Sequence, residues 1–274
     1  MLNALTVDLE DWYHVCGGGR HTDPRVWDEY EDRVTRNTDK ILRMLSAYSC
    51  KATFFVLGYI AERNPELVKR IHDEGHEIAV HGYYHKRVFE MTPAEFEDDL
   101  LMSISAVKSI THENVLGFRA PEWSIRDNAQ WAFPIIRKAG LRYDSSTVPL
   151  TRMGDRSYKK TPHKIDTPYG ELYEFPLTTF KLFWENLPYT GGLPMRVAPY
   201  FFICSSIKKL NGMGIPAISY IHPWEFDKDQ PEIELPISRR FMHYFNIQAT
   251  RPKIEGLLRH FRFAPVKDVL GLNA

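Results

Sequence analysis

His81 and His85, in Val80-His81-Gly82-Tyr83-Tyr84-His85, are two histidines four positions apart. If the chain turns helically after a strand, both imidazoles face one ion, and imidazole with carboxylate is a common ligand set for catalytic zinc or a related metal. A carboxylate source lies at the other end of the chain, in Asp8-Leu9-Glu10-Asp11. On an extended segment side chains two apart point the same way, so Asp8 and Glu10 both enter a site while Leu9 packs away. One of the two then binds metal and the other takes a proton from water. Asp8 is assigned as general base and Glu10 as ligand, with Asp11 as the fallback ligand.

Three further residues follow apolar runs. Arg119, in Gly117-Phe118-Arg119-Ala120-Pro121, offers a fixed guanidinium that can orient the base by a charge-assisted pair. His222, in Tyr220-Ile221-His222-Pro223-Trp224-Glu225, carries the side chain best suited to protonate a leaving amine near neutral pH. Asp144, ahead of Ser145-Ser146, is placed to orient and charge His222 by hydrogen bonding, although Asp-Ser-Ser is also a good turn. Tyr83, Trp123 and Trp224 offer flat faces to sugar rings, and as aromatics they serve equally as core. The plain readings of Arg119 and His222 are a surface arginine and a buried, hydrogen-bonded histidine.

The elements that must position these groups alternate. Leu5-Thr6-Val7, Ala52 to Leu57, Glu77 to Val80, Val115 to Phe118, Leu141 to Tyr143, Leu172 to Phe175 and Ala217 to Ile221 read as strands. Helices are predicted over about 35–48, 61–73, 92–110, 128–139 and 198–210, the third opened by a Thr92-Pro93-Ala94-Glu95 capping box. About seven strands alternating with helices imply an α/β chain with a parallel sheet, closed or nearly closed into a barrel. Chemistry in such barrels gathers where strands end, a rule that selects Asp8 to Asp11, His81, Arg119, Asp144, Glu174 and His222. One domain over 1–274 is expected, with an irregular insertion at about 149–171 that leaves room for a small hairpin, and a helical extension at about 235–274.

Composition narrows the function classes. The 274 residues carry 35 basic and 35 acidic side chains, so no net field attracts nucleic acid, and neither nucleic acid nor an anionic membrane is an expected partner. Cys16, Cys50 and Cys204 are odd in number and unpaired in spacing, as befits free thiols of a reducing compartment. No apolar stretch reaches the roughly 20 residues that span a bilayer, and the first residues lack a signal-like pattern, so a cytoplasmic location is expected.

The motifs Thr53-Phe54-Phe55-Val56-Leu57-Gly58, Gly75-His76-Glu77-Ile78-Ala79-Val80-His81-Gly82-Tyr83-Tyr84-His85 and Arg119-Ala120-Pro121 resemble those of the NodB-type polysaccharide deacetylases, carbohydrate esterase family 4. Val7-Asp8-Leu9-Glu10-Asp11-Trp12, Tyr143-Asp144-Ser145-Ser146, Tyr220 to Asp227 and Phe261-Arg262-Phe263 resemble the branch found in bacterial exopolysaccharide and exosortase gene clusters. The resemblance covers nearly the whole chain. It implies a distorted barrel of seven or eight βα units and a metal site of His81, His85 and either Glu10 or Asp11. It further implies Asp8 as base, Arg119 as the residue that orients it, and His222 as acid. Most members place two adjacent aspartates in the opening motif, whereas Leu9 follows Asp8 here, which leaves the metal carboxylate open.

The implied reaction is hydrolysis of an acetamide to acetate and a free amino sugar, with a backbone N–H near Tyr84 or Trp123 helping to hold the oxyanion. Tyr84, Trp123, Glu174, Arg196 and Trp224 are the expected substrate-side residues. Zinc is the first choice of metal, and two histidines with one carboxylate also accept cobalt, nickel or manganese. The expected partner is an N-acetylated sugar or polysaccharide, and a homo-oligomer is left open. Two other readings share these residues: a hydrolase of small cyclic amides or formamides, and a non-catalytic carbohydrate-binding relative. The shape of the cleft, expected to depend on 149–170 and Gly191 to Arg196, separates the first of these from a sugar deacetylase.

Overall fold

In the computed structural model, residues 1–17, 19–151, 154–155, 157–182 and 184–272 are described. The strands are β1 (Leu2–Leu9), β2 (Thr53–Val56), β3 (Glu77–Val80), β4 (Gly117–Phe118), β5 (Tyr143–Asp144), β6 (His163–Thr167), β7 (Gly170–Glu174), β8 (Thr179–Leu182), β9 (Glu185–Pro188), β10 (Ile218–Ile221) and β11 (Arg262–Ala264). The helices are α1 (Val34–Ala47), α2 (Gly58–Arg63), α3 (Pro65–Asp73), α4 (Pro93–Thr111), α5 (Ala132–Lys138), α6 (Gly192–Val197), α7 (Tyr200–Gly212), α8 (Ile237–Tyr244), α9 (Thr250–His260) and α10 (Val266–Val269).

The main sheet runs β10-β1-β2-β3-β4-β5-β7-β6, parallel except at its β7–β6 end, and β11 also pairs with β1. Strands β1, β2, β3 and β10 are buried along almost their whole length, as parallel strands covered on both faces must be. Hydrogen bonding does not join β7 to β10 directly. There the Ile218 N–H donates to Thr178 Oγ1 at 2.7 Å, and Gly191 bridges Tyr220, so the barrel closes in a distorted way.

Helices α1, α3, α4 and α5 cover the outside with Leu42 and Leu45, Leu67 and Ile71, Phe96 and Leu100, and Ile136, all buried in one apolar cluster. Each such side chain contributes about 1.5–3 kcal/mol on burial. The capping box of α4 forms as read: Thr92 Oγ1 accepts the Glu95 N–H at 3.3 Å and Glu95 Oε2 accepts the Thr92 N–H at 2.7 Å. The helix expected over 61–73 is two, because Pro65 disfavours helical geometry at Asn64 and opens α3 itself.

The insertion expected at about 149–171, with room for a small hairpin, holds β6 and the start of β7, which pair antiparallel as such a hairpin. The tail expected to be helical contributes β11, whose Arg262, Phe263 and Ala264 pair in register with Leu2, Asn3 and Ala4. No helix among the described residues is long and apolar enough to cross a membrane.

The register positions the site. Leu9 lies beside Val56, Val56 beside Val80, Val80 beside Phe118, Phe118 beside Asp144 and Asp144 beside Glu174, while Val7 lies beside Ile221. The residues that follow this rung, Glu10, His81, Arg119, Ser145 and His222, therefore emerge together at the carboxyl ends of the strands.

Candidate metal and proton-transfer centre

Glu10 Oε1 lies 3.1 Å from His81 Nε2 and 3.0 Å from His85 Nε2, and all three side chains are buried. Their ligand atoms lie within 4.8 Å of one another. His81 Nδ1 faces the Arg119 carbonyl at 2.7 Å; a carbonyl only accepts, so Nδ1 carries a proton and Nε2 is the nitrogen turned to the shared space. Gly82, at φ +77°, lets the chain turn sharply between the two histidines, and His85 itself sits at φ +53°. Burial works to raise the Glu10 carboxyl, but the charges of His85 and His222 and the hydrogen bonds of His81 and His85 hold it well below the usual range. Two imidazole nitrogens and one ionised oxygen converging on one point are a fit donor set for a divalent cation.

Asp8 stands beside this set. Its Oδ1 accepts from Arg119 Nη1 at 2.6 Å, and its Oδ2 lies 3.9 Å from His222 Nε2, which is 4.0 Å from Glu10 Oε1. The guanidinium has little freedom. It also donates to Thr6 Oγ1 at 2.8 Å, Ser145 Oγ at 3.0 Å and the Ser145 carbonyl at 3.2 Å, with its carbon 4.2 Å from the Phe55 ring centroid.

His222 Nδ1 pairs with Glu225 Oε2 at 3.0 Å, and Glu225 Oε1 faces Arg196 Nε at 3.3 Å. Burial opposes a charge on His222, yet Glu10, Glu225 and Asp8 together raise its pKa above the ordinary histidine value. Trp224 stacks on His222 with ring centroids 4.7 Å apart and donates from Nε1 to Glu10 Oε2 at 3.3 Å.

Several expectations are corrected. Asp144 was assigned to orient His222; Glu225 does so, and Asp144 instead binds Ser146 Oγ at 2.6 Å, through which it braces the Ala120 N–H beside Arg119. Asp11, the fallback ligand, is spent: Oδ1 accepts the Trp12 N–H and Oδ2 accepts the N–H groups of Arg33 and Val34, which caps α1. Of the expected substrate-side residues, Glu174 is fully buried on the N–H and hydroxyl of Thr147. Arg196 is buried too and donates to the carbonyls of His243 and Phe245. Trp224 braces Glu10 from within the core cluster it shares with Trp12 and Trp27. Trp123 is 8% exposed and packs on Tyr220, just after Glu122; both residues have left-handed backbone, at φ +48° and +51°.

Tyr84 alone of the five is well exposed, at 42%. It lines a cavity of about 520 Å³ with Val15, Cys16, Trp27, His85 and Arg87. The wall of that cavity is built from the loops after β1 and β3, and none of the described residues of 149–170 or of Gly191 to Arg196 takes part. Glu225 and Cys16 were missed in sequence. Glu225 sits three residues after His222, at the capping-box spacing, and that spacing was its available signal.

With this geometry in place, the likenesses to known proteins become specific. Residues 18–143 match the family model described as polysaccharide deacetylase, and residues 145–271 match one described as a domain of unknown function, DUF3473. The fold superposes on a candidate polysaccharide deacetylase from Mycobacterium smegmatis with TM-score 0.67 at 19% identity, covering 98% of this chain and 90% of that one. Residues 18–143 are thus similar in sequence to polysaccharide deacetylases, and the fold of the whole chain is like that of the superposed structure. The peptidoglycan deacetylase of Helicobacter pylori is 32% identical over 175 residues, 61% of this chain and 58% of that protein. The chitooligosaccharide deacetylase of a Bradyrhizobium strain is 32% identical over 138 residues, 43% of this chain and 61% of that protein. The chain thus spans less than two thirds of these deacetylases. The boundary between the two matched models falls at β5, inside the continuous sheet, so both matched segments build one deacetylase-type barrel.

Proposed function

We propose that this chain is a metal-dependent hydrolase that removes N-acetyl groups from the amino sugars of a bacterial polysaccharide or its precursor. The observation that carries the reading is the convergence of Asp8, Glu10, His81, His85 and His222 on one buried space, with an Arg119 clamp on Asp8 and a Glu225 clamp on His222.

Glu10, His81 and His85 would hold the divalent ion, zinc by first preference. Such an ion supplies a Lewis acid for the amide carbonyl and favours deprotonation of water at neutral pH. Asp8, aimed by Arg119, takes the proton of the attacking water. His222, charged and oriented by Glu225, gives a proton to the departing amine nitrogen. Acetate and a free amino sugar leave. Tyr84, exposed on the cavity wall, offers a ring to the sugar. The segment of unknown function supplies the acid half of this chemistry, since His222, Glu225 and Arg196 all belong to it.

The exopolysaccharide branch is supported by the motifs from Val7 to Trp12 and from Tyr220 to Asp227. A paired substrate panel tests the class: N-acetylated saccharides, including chitooligosaccharides and sugar precursors, against small cyclic amides and formamides. Acetate release from saccharides is the expected result; turnover confined to the small amides would replace the sugar reading while keeping the centre.

A further inference from the structure

Cys16 belongs to none of the roles above, yet it touches a proposed metal ligand twice. Its Sγ lies 3.3 Å from the His85 carbonyl oxygen and 3.4 Å from His85 Nδ1. The donor count allows one arrangement that satisfies both contacts: the thiol hydrogen goes to the carbonyl, and the sulfur accepts the Nδ1 hydrogen. Nδ1 then carries a proton, which leaves Nε2, 3.0 Å from Glu10 Oε1, as the nitrogen that a bound ion would engage. His81 likewise carries a proton on Nδ1, donated to the Arg119 carbonyl.

The backbone adds an independent observation. His85 has φ +53°, a left-handed conformation that a side chain larger than glycine keeps only where its surroundings hold it. The contact from Cys16 to the His85 carbonyl is one such hold. Cys16 is itself fixed, because its carbonyl accepts from Arg239 Nη1 at 2.6 Å, and the same nitrogen pairs with Glu122 Oε1 at 2.8 Å. A path of contacts therefore runs from α8 through Arg239 and Cys16 to His85.

We infer that Cys16 is a positioning residue for the metal centre: its thiol clamps the ring and main chain of His85 so that Nε2 faces Glu10 and His81. This rests on the proposed metal site and adds to it a sulfur partner from the loop after β1. Hydrogen-bond partners of ligating histidines typically govern affinity by 10–100-fold.

The test is Co²⁺ and Zn²⁺ affinity by chelator competition, measured on the full chain for wild type, Cys16→Ala, Cys16→Ser and, as a control for loss of a buried thiol elsewhere, Cys50→Ala. The d–d spectrum of the Co²⁺ form and the melting temperature of each metal-free protein are recorded alongside. Cys16→Ala is expected to weaken both metals by about 10–100-fold and shift the Co²⁺ bands, Cys16→Ser to recover part of the affinity, and Cys50→Ala to match wild type. Wild-type affinity and an unshifted spectrum in Cys16→Ala would overturn the inference and leave the metal site standing. An equal loss in Cys50→Ala would overturn it as well, since the effect would not then be specific to the clamp. Absence of stoichiometric metal on the wild type would overturn both the inference and the site.

Discussion

Arg119 holds His81 and Asp8 at once: its main-chain carbonyl faces His81 Nδ1 at 2.7 Å while its Nη1 reaches Asp8 Oδ1 at 2.6 Å. One residue thereby fixes both a proposed ligand and the proposed base, through different atoms. Arg119→Lys keeps the carbonyl and the positive charge but loses the planar fork that binds Asp8, Thr6 and Ser145 together. We predict a fall in kcat of at least about tenfold with metal content unchanged. Loss of metal in parallel with kcat would show that the side chain, and not the carbonyl, supports His81.

Glu10 and Asp11 are separable by substitution. Glu10→Gln is predicted to abolish stoichiometric metal binding. Asp11→Ala, which strips acceptors from the N–H groups of Trp12, Arg33 and Val34, should retain the metal and cost about 1–3 kcal/mol of stability. Metal analysis with denaturant unfolding reads both, and metal loss in Asp11→Ala would return that residue to the ligand set.

The pairing of Glu225 with His222 sets a pH dependence. His222 must be protonated to act as acid, so activity is lost as pH rises through its pKa, and Glu225 is one of the groups raising that pKa. Glu225→Gln removes a negative partner, lowers the pKa of His222 and moves the high-pH limb of the kcat profile to lower pH. A profile whose alkaline limb stays where it was would remove Glu225 from this role.

Arg196 is predicted to matter for stability and not for substrate affinity. Arg196→Met leaves Glu225 without its second cation and the carbonyls of His243 and Phe245 without a donor, a loss on the order of 3–5 kcal/mol for breaking a buried pair. Unfolding midpoints and KM distinguish the cases: raised KM at unchanged stability would restore Arg196 to the substrate side.

Strand ends were legible in the sequence because parallel strands are buried on both faces and so read as apolar runs, and a polar residue just after such a run has few destinations. That logic brought Asp8, Glu10, His81, Arg119 and His222 to one place from positions up to 214 residues apart. It failed where the partner of a polar group is decided by packing. Asp144 also ends a strand, but at Phe118↔Asp144 and Asp144↔Glu174 the register carries it to Ser146 and away from His222. Arg196 carries a charge that in sequence reads as a surface or substrate group, whereas the carbonyls at the end of α8, some 47 residues on, draw it inside. Cys16 lies in a loop without periodicity, and no spacing rule ties a lone thiol to a histidine 69 residues away.

The central claim is that the Glu10, His81 and His85 centre, served by Asp8, performs amide hydrolysis on N-acetylated sugars. The most direct measurement is acetate released from chitooligosaccharides by the metal-loaded protein, by the same protein after chelation and after metal is restored, and by metal-reconstituted Asp8→Asn and His81→Ala. The account predicts release by the loaded protein, abolished by chelation, recovered on restoration, and absent in both variants, with Asp8→Asn still binding metal. Release that survives chelation, or that persists in His81→Ala, would contradict it.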